Sequence, residues 1–413
     1  MLLAVAFSIS SIYGDGEIAK ASPLPKECVK PVQSASLPAE APKLEAPKLE
    51  ASNAQVSKPT EVCEGSFMVP DCCLPCDFPR AYNEAARIDV TSCNHDMFAY
   101  ASFIYWHVSQ EYMDIGRTAL FSDLETPPTP ARDAKVPTPS FSYHPGFKVG
   151  AGFSWDKDNW QLEGVYTRMY QQTNYSTGTP IGTAVAGNPI IIPNEWWLNL
   201  SEITAQQAAT MSSKWTMNMD LADLLLSRPF YLGRCLVLKP YTGLSALFIR
   251  QKYHIDATFP RSTTTTVAES NNWSHSWAIG PSAGANFLWL LSYGVRIEAD
   301  VGMRLFYEKY SHLRHRESFN QVVVGAAPLN GHMPVTSVLR PVTDMALGLG
   351  WGRYFKDNHY HVDFEATYEF ALFAHENMMR QTLGYLANNP VGYSNPIGDL
   401  FLHGLTVTGR VDF

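Results

Sequence analysis

Residues 294 to 308, GVRIEADVGMRLFYE, decide how the rest of this 413-residue chain is read. Val295, Ile297, Ala299, Val301, Met303, Leu305 and Tyr307 are apolar without a break, while Arg296, Glu298, Asp300, Arg304 and Glu308 fall between them. Successive strand residues point to opposite faces, so a period of two predicts a strand with one apolar and one charged face. The run is far longer than the roughly 5 to 6 residues usual for globular strands. Residues 360 to 374 repeat it, with Tyr360, Val362, Phe364, Ala366, Tyr368, Phe370 and Leu372 set against His361, Asp363, Glu365, Thr367 and Glu369.

Weaker alternation marks residues 97–112, 145–155, 160–172, 213–226, 235–252, 274–289, 337–353 and 400–413, which brings the expected strands to ten. Pro240 weakens the reading of 235–252, because proline cannot donate to a ladder, and leaves eight or twelve strands as alternatives. The connections alternate in length. Short links fall at 156–159, 229–234, 290–293 and 355–359; long ones fall near 113–144, 173–212, 253–273, 309–336 and 375–399. Outer-membrane barrels combine short periplasmic turns, long extracellular loops, an apolar outer band and a polar interior. The pattern therefore predicts an all-β fold, an antiparallel transmembrane barrel over residues 97–413 with both ends on the short-turn side.

Composition agrees. Charged residues make up 17% of the chain and aromatic residues 12%, with a net charge of -8. A typical soluble protein carries about 25% charged residues, and no run approaches the roughly 18 apolar residues of a membrane helix. The acidic balance and the lack of a basic cluster argue against a nucleic-acid partner. Trp155 and Trp160, Trp289 and Tyr293, and Trp351, Tyr354, Phe355 and Tyr360 surround three of the short turns, where a lipid interface attracts amphipathic rings. A β-sandwich with aromatics near its ends is the alternative.

The N-terminal part has a different character. Residues 2–12, LLAVAFSISSI, form an apolar stretch, and Ala19-Lys20-Ala21 offers a cleavage site, so residues 1–21 are expected to be a signal peptide. The stretch lacks a basic leader and has Asp15 and Glu17 near the cut, consistent with a truncated start or a cut near Gly14. Residues 22–60, with APKLE at 41–45 and again at 46–50, read as a disordered linker. Residues 61–96 form a cysteine-rich segment expected on the periplasmic side.

Five stretches resemble a known family together and in order: HPGFKVGAGFSWDKDNWQLEGVYTR at 144–168, LKPYTGLSALFIRQKYHID at 238–256, WAIGPSAGANFLWLLSYG at 277–294, LRPVTDMALGLGWGRYF at 339–355, and YHVDFEATYEF through to the terminal GLTVTGRVDF. They resemble the Legionella-type pore-forming, major-outer-membrane-protein-like family, found also in chlamydia-related bacteria. The resemblance covers roughly residues 97–413 and implies export by a signal peptide, residence in the bacterial outer membrane and porin-like conduction. It also implies that the last strand, ending in the aromatic Phe413, is the signal read by the barrel-assembly machinery. The linker and the N-terminal cysteine cluster lie outside it.

The polar strand faces supply the candidate pore-lining residues: Lys148, Glu163, Asp220, Arg296, Glu298, Asp300, Arg304, Arg340, Asp344, Asp363, Glu365, Glu369 and Arg410. Lumen charges set ion preference, so the expected function is passive diffusion of ions and small hydrophilic solutes. Ten strands lie close to the eight-stranded barrels whose interior is filled by side chains, so a closed lumen in which these groups pair is the competing reading. The cysteines Cys28, Cys63, Cys72, Cys73, Cys76, Cys93 and Cys235 include one CxxC, Cys73 to Cys76, without the second motif a structural zinc site needs. An oxidising periplasm favours disulfides, and an odd total leaves one thiol for a partner, so cross-links within the protein and to cysteine-rich envelope proteins are expected. No cofactor or metal is expected. His361 with Asp363, and His312 with His315 in a solvated loop, lack any partner motif for hydrolysis, so no enzyme is expected. The loops STGTPIGTAVAG and TTTT suit a surface adhesin as the alternative function.

Overall fold

The computed structural model of the chain describes residues 84–88, 90, 95–120, 135–155, 158–177, 189–193, 196–197, 208, 210–260, 265–319, 328–356, 359–386 and 397–413. The expected signal peptide, linker and most of the cysteine-rich segment lie outside these residues.

The elements are β1 (His95–Gln110), β2 (Gly116–Leu120), β3 (Tyr143–Trp155), β4 (Gln161–Ser176), β5 (Pro189–Pro193), β6 (Thr210–Ser227), β7 (Phe230–Tyr231), β8 (Leu236–Pro260), β9 (Thr265–Leu290), β10 (Val295–Phe319), β11 (Leu329–Met333), β12 (Thr336–Phe355), β13 (Tyr360–Asn377), α1 (Met379–Leu386) and β14 (Gly398–Asp412). Ten of the strands form one antiparallel ring in sequence order, β1-β3-β4-β6-β8-β9-β10-β12-β13-β14, and β14 returns to β1 over thirteen paired positions from Phe98↔Asp412 to Gln110↔Leu400. The seam continues to the last residue, because Met97 and Phe413 exchange backbone hydrogen bonds of 3.0 and 2.9 Å. Closure satisfies the edge groups that an open sheet would leave unpaired.

The outward face carries Val301, Met303, Leu305, Leu347, Leu349, Phe364 and Leu405, all exposed. An apolar surface of this extent is an interaction surface rather than ordinary solvated wall. Trp289, Tyr293, Trp351 and Tyr360 stand exposed at its short-turn rim. Pro240 is accommodated within β8 opposite Ala285, facing outward, and Pro145, Pro281 and Pro341 take similar outward ring positions.

Two expectations about loops are corrected. Residues 253–260, 265–273 and 309–319 are strand, so β8, β9 and β10 run for 25, 26 and 25 residues. About 9 to 11 residues span a bilayer, so these hairpins rise well past it. The alternation persists in the extension with its phase reversed. In β8, Leu244, Ala246 and Phe248 face out at the short-turn side, but higher up Arg250, Lys252 and His254 face out while Ile249, Tyr253 and Ile255 are buried inside. A strand read only for apolar-outside positions is cut short where that phase flips.

The second correction concerns 375–399. A register shift between Phe373 and Asn377, with His375 at φ 60°, turns the end of β13 inward and leads into α1. The His375 N–H donates to Asp399 Oδ1 at 2.7 Å, which fixes this turn.

Candidate functional site in the lumen

The inward faces divide the lumen into two halves. Toward the short turns lies a cavity of about 1360 Å³. Eleven of the thirteen sequence-predicted residues line it: Lys148, Glu163, Arg296, Glu298, Asp300, Arg304, Asp344, Asp363, Glu365, Glu369 and Arg410. Each sits at an inward position of its strand, where the period of two brings every second residue to the same wall.

These groups pair along the wall. Lys148 Nζ donates to both oxygens of Glu369 at 3.0 Å. Arg296 reaches Asp363 at 2.7 Å and Glu298 at 3.2 Å. Arg304 joins Asp223 at 3.1 Å and also contacts Asp344. Arg410 bonds Asp412 at 2.9 Å and stacks over the Phe98 ring at 3.9 Å. Tyr100 donates to Glu163 at 2.6 Å, and Lys239 approaches the same carboxylate at 3.6 Å. Glu365 makes no hydrogen bond or ion pair among the described residues.

Glycines explain how such long side chains pair without filling the space. Tyr100 on β1 crosses Gly150 on β3 to reach Glu163 on β4. Tyr241 on β8 crosses Gly284 on β9 to reach Asp300 on β10 at 3.0 Å, and Arg296 on β10 crosses Gly350 on β12 to reach Asp363 on β13. A Cβ at any of these glycines would overlap the side chain lying across it. The polar groups thus lie flat against the wall, one strand removed from their own.

Two predicted residues are elsewhere. Asp220 faces outward: on β6 the inward set is Met217, Met219, Leu221 and Asp223, and Asp220 instead accepts from Tyr166 at 2.7 Å and approaches the exposed Arg168 and Arg250 at 3.8 and 3.5 Å. The error has the same cause as the shortened strands, since this part of β6 lies in the phase-reversed half. Arg340 faces the lumen but lies above the cavity, buried with Glu308, Glu376 and Tyr310; its guanidinium donates to the Tyr310 hydroxyl at 2.6 Å and to Glu308.

The half of the lumen toward the long connections holds a large apolar cluster beside buried polar groups such as Arg340, Glu308, His315 and Glu317. Ile104, Trp106, Met219, Leu247, Phe306, Phe373 and Leu402 project inward from the ring, and Met113, Ile115, Ile191, Trp196, Trp197, Met379 and Leu383 enter from the connections to complete one buried cluster. Three backbone carbonyls of residues 111–114 accept side-chain donors there. Trp196 donates to the Asp114 carbonyl at 2.8 Å, Tyr253 to Met113 O at 2.7 Å, and Asn377 to Glu111 O at 2.8 Å. Arg380 on α1 approaches Asp114 at 3.3 Å. A polar interior throughout was the sequence expectation; the long-connection half departs from it by this apolar cluster.

Sequence reasoning missed Tyr100, Tyr241, Asp223 and Lys239 in the lining. Lys239 adjoins Pro240 in the weakly patterned segment, and the tyrosines were indistinguishable by type from lipid-facing aromatics. Glu84 to Ile88 also line the cavity at its short-turn mouth, held by an antiparallel bridge from Ala85 to Phe230 and by Tyr231 N–H donating to Glu84 O at 2.9 Å. Cys235 stands one residue before β8 and is disulfide-bonded; the other six cysteines lie outside the described residues.

The histidine pairs are also placed. His361 bonds Asp412 at 2.9 Å rather than Asp363. His312 and His315 belong to β10, not to a solvated loop; the irregularity between Tyr310 and His312 puts His315 inside, buried between Asn272 and Glu317 at 2.8 Å each. No group of three metal-binding side chains occurs among the described residues.

Comparison with solved structures finds barrel proteins at low identity. The translocator domain of the autotransporter NalP from Neisseria meningitidis is 10% identical, with 79% of this chain and 90% of that chain covered and a TM-score of 0.30. Ail, the attachment invasion locus protein of Yersinia pestis, is 7% identical, with 77% and 98% covered and a TM-score of 0.20. A Pseudomonas aeruginosa FadL homologue is 7% identical, with 78% and 90% covered and a TM-score of 0.22. Likeness at this level says nothing of activity or ligand. None of the curated proteins matches the chain. The family described as Legionella pneumophila major outer membrane protein precursor matches residues 95–413, the whole ring from the first residue of β1 to Phe413. This chain, an outer-membrane β-barrel, belongs to that Legionella major outer membrane protein family.

Proposed function

We propose that the protein is a gated, porin-like pore for ions and small hydrophilic solutes, with a preference for cations. The observation that carries this reading is the charged cavity. Its ring-borne lining holds the cations Lys148, Lys239, Arg296, Arg304 and Arg410 against the carboxylates Glu163, Asp223, Glu298, Asp300, Asp344, Asp363, Glu365 and Glu369, five against eight. An excess of three carboxylates in a low-dielectric wall favours cations in the lumen. The apolar cluster of the upper half serves as the gate in this reading, and conduction requires the inserted Trp196-Trp197 segment to move.

The long-connection end faces outward and the short turns and N-terminal segment face the periplasm, as outer-membrane barrels are built. Phe413 serves as the assembly signal. The cysteines tie the protein internally and to cysteine-rich envelope proteins; the disulfide at Cys235 supports the internal part of this reading.

A second reading, a structural or adhesive barrel with a permanently closed lumen, is favoured by the buried core in the outer half. Planar-bilayer recording under a KCl gradient separates the two. Discrete conductance with a cation-preferring reversal potential is expected; silence at every voltage, in the wild type and in a variant with the plug loosened, supports the closed barrel.

A further inference from the structure

Above the apolar band, the outward wall of five adjacent strands becomes cationic. Register places the residues in rows. Ala222, Ala246, Ile279 and Tyr307 form the last apolar row across β6, β8, β9 and β10. The next row holds Arg168 of β4, Asp220, Phe248, Trp277 and Lys309. Then come Asn218, Arg250, His275 and His312, followed by Thr216, Lys252, Trp273 and Arg314, and by Lys214, His254, Asn271 and Arg316. Seven lysines and arginines therefore face one carboxylate, Asp220, within four rows. Arg168 and Arg250 are 57% and 59% exposed although both approach that carboxylate.

The patch is one-sided. On β1, β3, β13 and β14 the only lysines and arginines are Lys148 and Arg410, which face the lumen, so the opposite wall carries no outward cation of this kind. Trp273 organises the centre. Lys252 Nζ lies 5.6 Å and the Arg314 guanidinium 5.5 Å from its ring centroid, on neighbouring strands. The indole thereby holds two cations at a set spacing by attraction to its face.

We infer that this wall binds a phosphate-bearing anionic lipid of the surrounding leaflet, with the phosphates at Arg250, Lys252 and Arg314 and the acyl chains on the apolar rows below. Guanidinium and ammonium groups are the side chains that recognise phosphate. A lipid is preferred to a soluble polyanion because the cations lie on the lateral wall, continuous with the lipid-facing band, and not at the tips of the long connections. The inference rests on the outer-membrane reading; which leaflet is met depends on orientation, but binding to the wall does not.

The test uses the purified full-length barrel in a zwitterionic detergent, with diphosphoryl lipid A as probe and native mass spectrometry as readout. Wild type should retain the lipid, and Arg250→Ala/Lys252→Ala/Arg314→Ala should bind at least about tenfold more weakly. Arg353→Ala, an outward cation at the opposite rim, should bind as wild type does. Heat-modifiable gel migration reports folding, and Arg250→Gln/Lys252→Gln carries the test if the triple variant does not fold. Equal retention by the folded variants and wild type overturns the inference. So does equally tight binding of inositol hexakisphosphate, because the wall would then be a site for soluble polyanions. Surface labelling of the long connections tests orientation separately.

Discussion

Arg340 shows what a single residue does in a lumen of this kind. It is 1% exposed, lies against Glu308 and Glu376, and donates to the Tyr310 hydroxyl and the Ala374 carbonyl. One cation thus neutralises part of two buried carboxylates where the end of β13 turns inward. Removing one partner of a buried ionic cluster costs about 3 to 5 kcal/mol, because the remaining charges are left uncompensated. Arg340→Ala should lower the urea midpoint of the refolded barrel correspondingly, and an unchanged midpoint would mean water already solvates the cluster. Glu365 is the opposite case, a lining carboxylate with no hydrogen bond or ion pair among the described residues. Glu365→Gln should therefore shift the reversal potential toward anions with little loss of stability, whereas Glu369→Gln, which orphans Lys148, should affect both.

At the scale of elements, the strands work in triplets: a long polar side chain, a glycine on the next strand, and an acceptor on the one beyond. Tyr100, Gly150 and Glu163 are the clearest set. Gly150→Val would push the Tyr100 ring off the wall, breaking its bond to Glu163, and overpacking of this type costs about 1 to 3 kcal/mol. Gly164→Val, where a Cβ meets only a carbonyl oxygen at 4.0 Å, should be close to neutral in the same unfolding assay. The seam is another element-scale feature, since the terminal residue still pairs with Met97. Deleting Phe413 should reduce the heat-modifiable, folded fraction in outer-membrane preparations while leaving the exported amount unchanged. These elements were legible to different degrees. Ring strands with an unbroken apolar outer face, such as Val295 to Tyr307, could be read directly, and so could the eleven lining residues on them. Asp220, and the upper parts of β8, β9 and β10, could not, because hydrophobicity changes face where a strand leaves the apolar band and enters a core-filled lumen. Period survives that change, but which face is inside does not follow from period alone.

For the whole molecule, the two halves of the lumen set opposing demands. A charged cavity of about 1360 Å³ is a place for water and ions, but it abuts a cluster containing the fully buried Trp196, Trp197 and Trp215. Conduction then depends on how firmly the inserted segments are held. Their anchors among the described residues include Trp196 to the Asp114 carbonyl, Ser270 to the Trp196 carbonyl and α1 through Arg380 to the Asp114 side chain, with Tyr253 and Asn377 holding the 111–113 backbone. Trp196→Ala with Trp197→Ala removes two large buried side chains and one anchoring donor, at a cost of about 3 to 5 kcal/mol for each ring. The ring's own ladder is untouched by the change, so the barrel should remain closed and heat-modifiable while the plug loosens. Open probability in planar bilayers should then rise markedly, with the cation preference unchanged because the charged lining is intact. A variant that folds, retains its plug against proteolysis and stays silent would show that the aromatic pair does not gate the pore. A variant that conducts without ion preference would show that the selective region lies in the plug and not in the cavity below it.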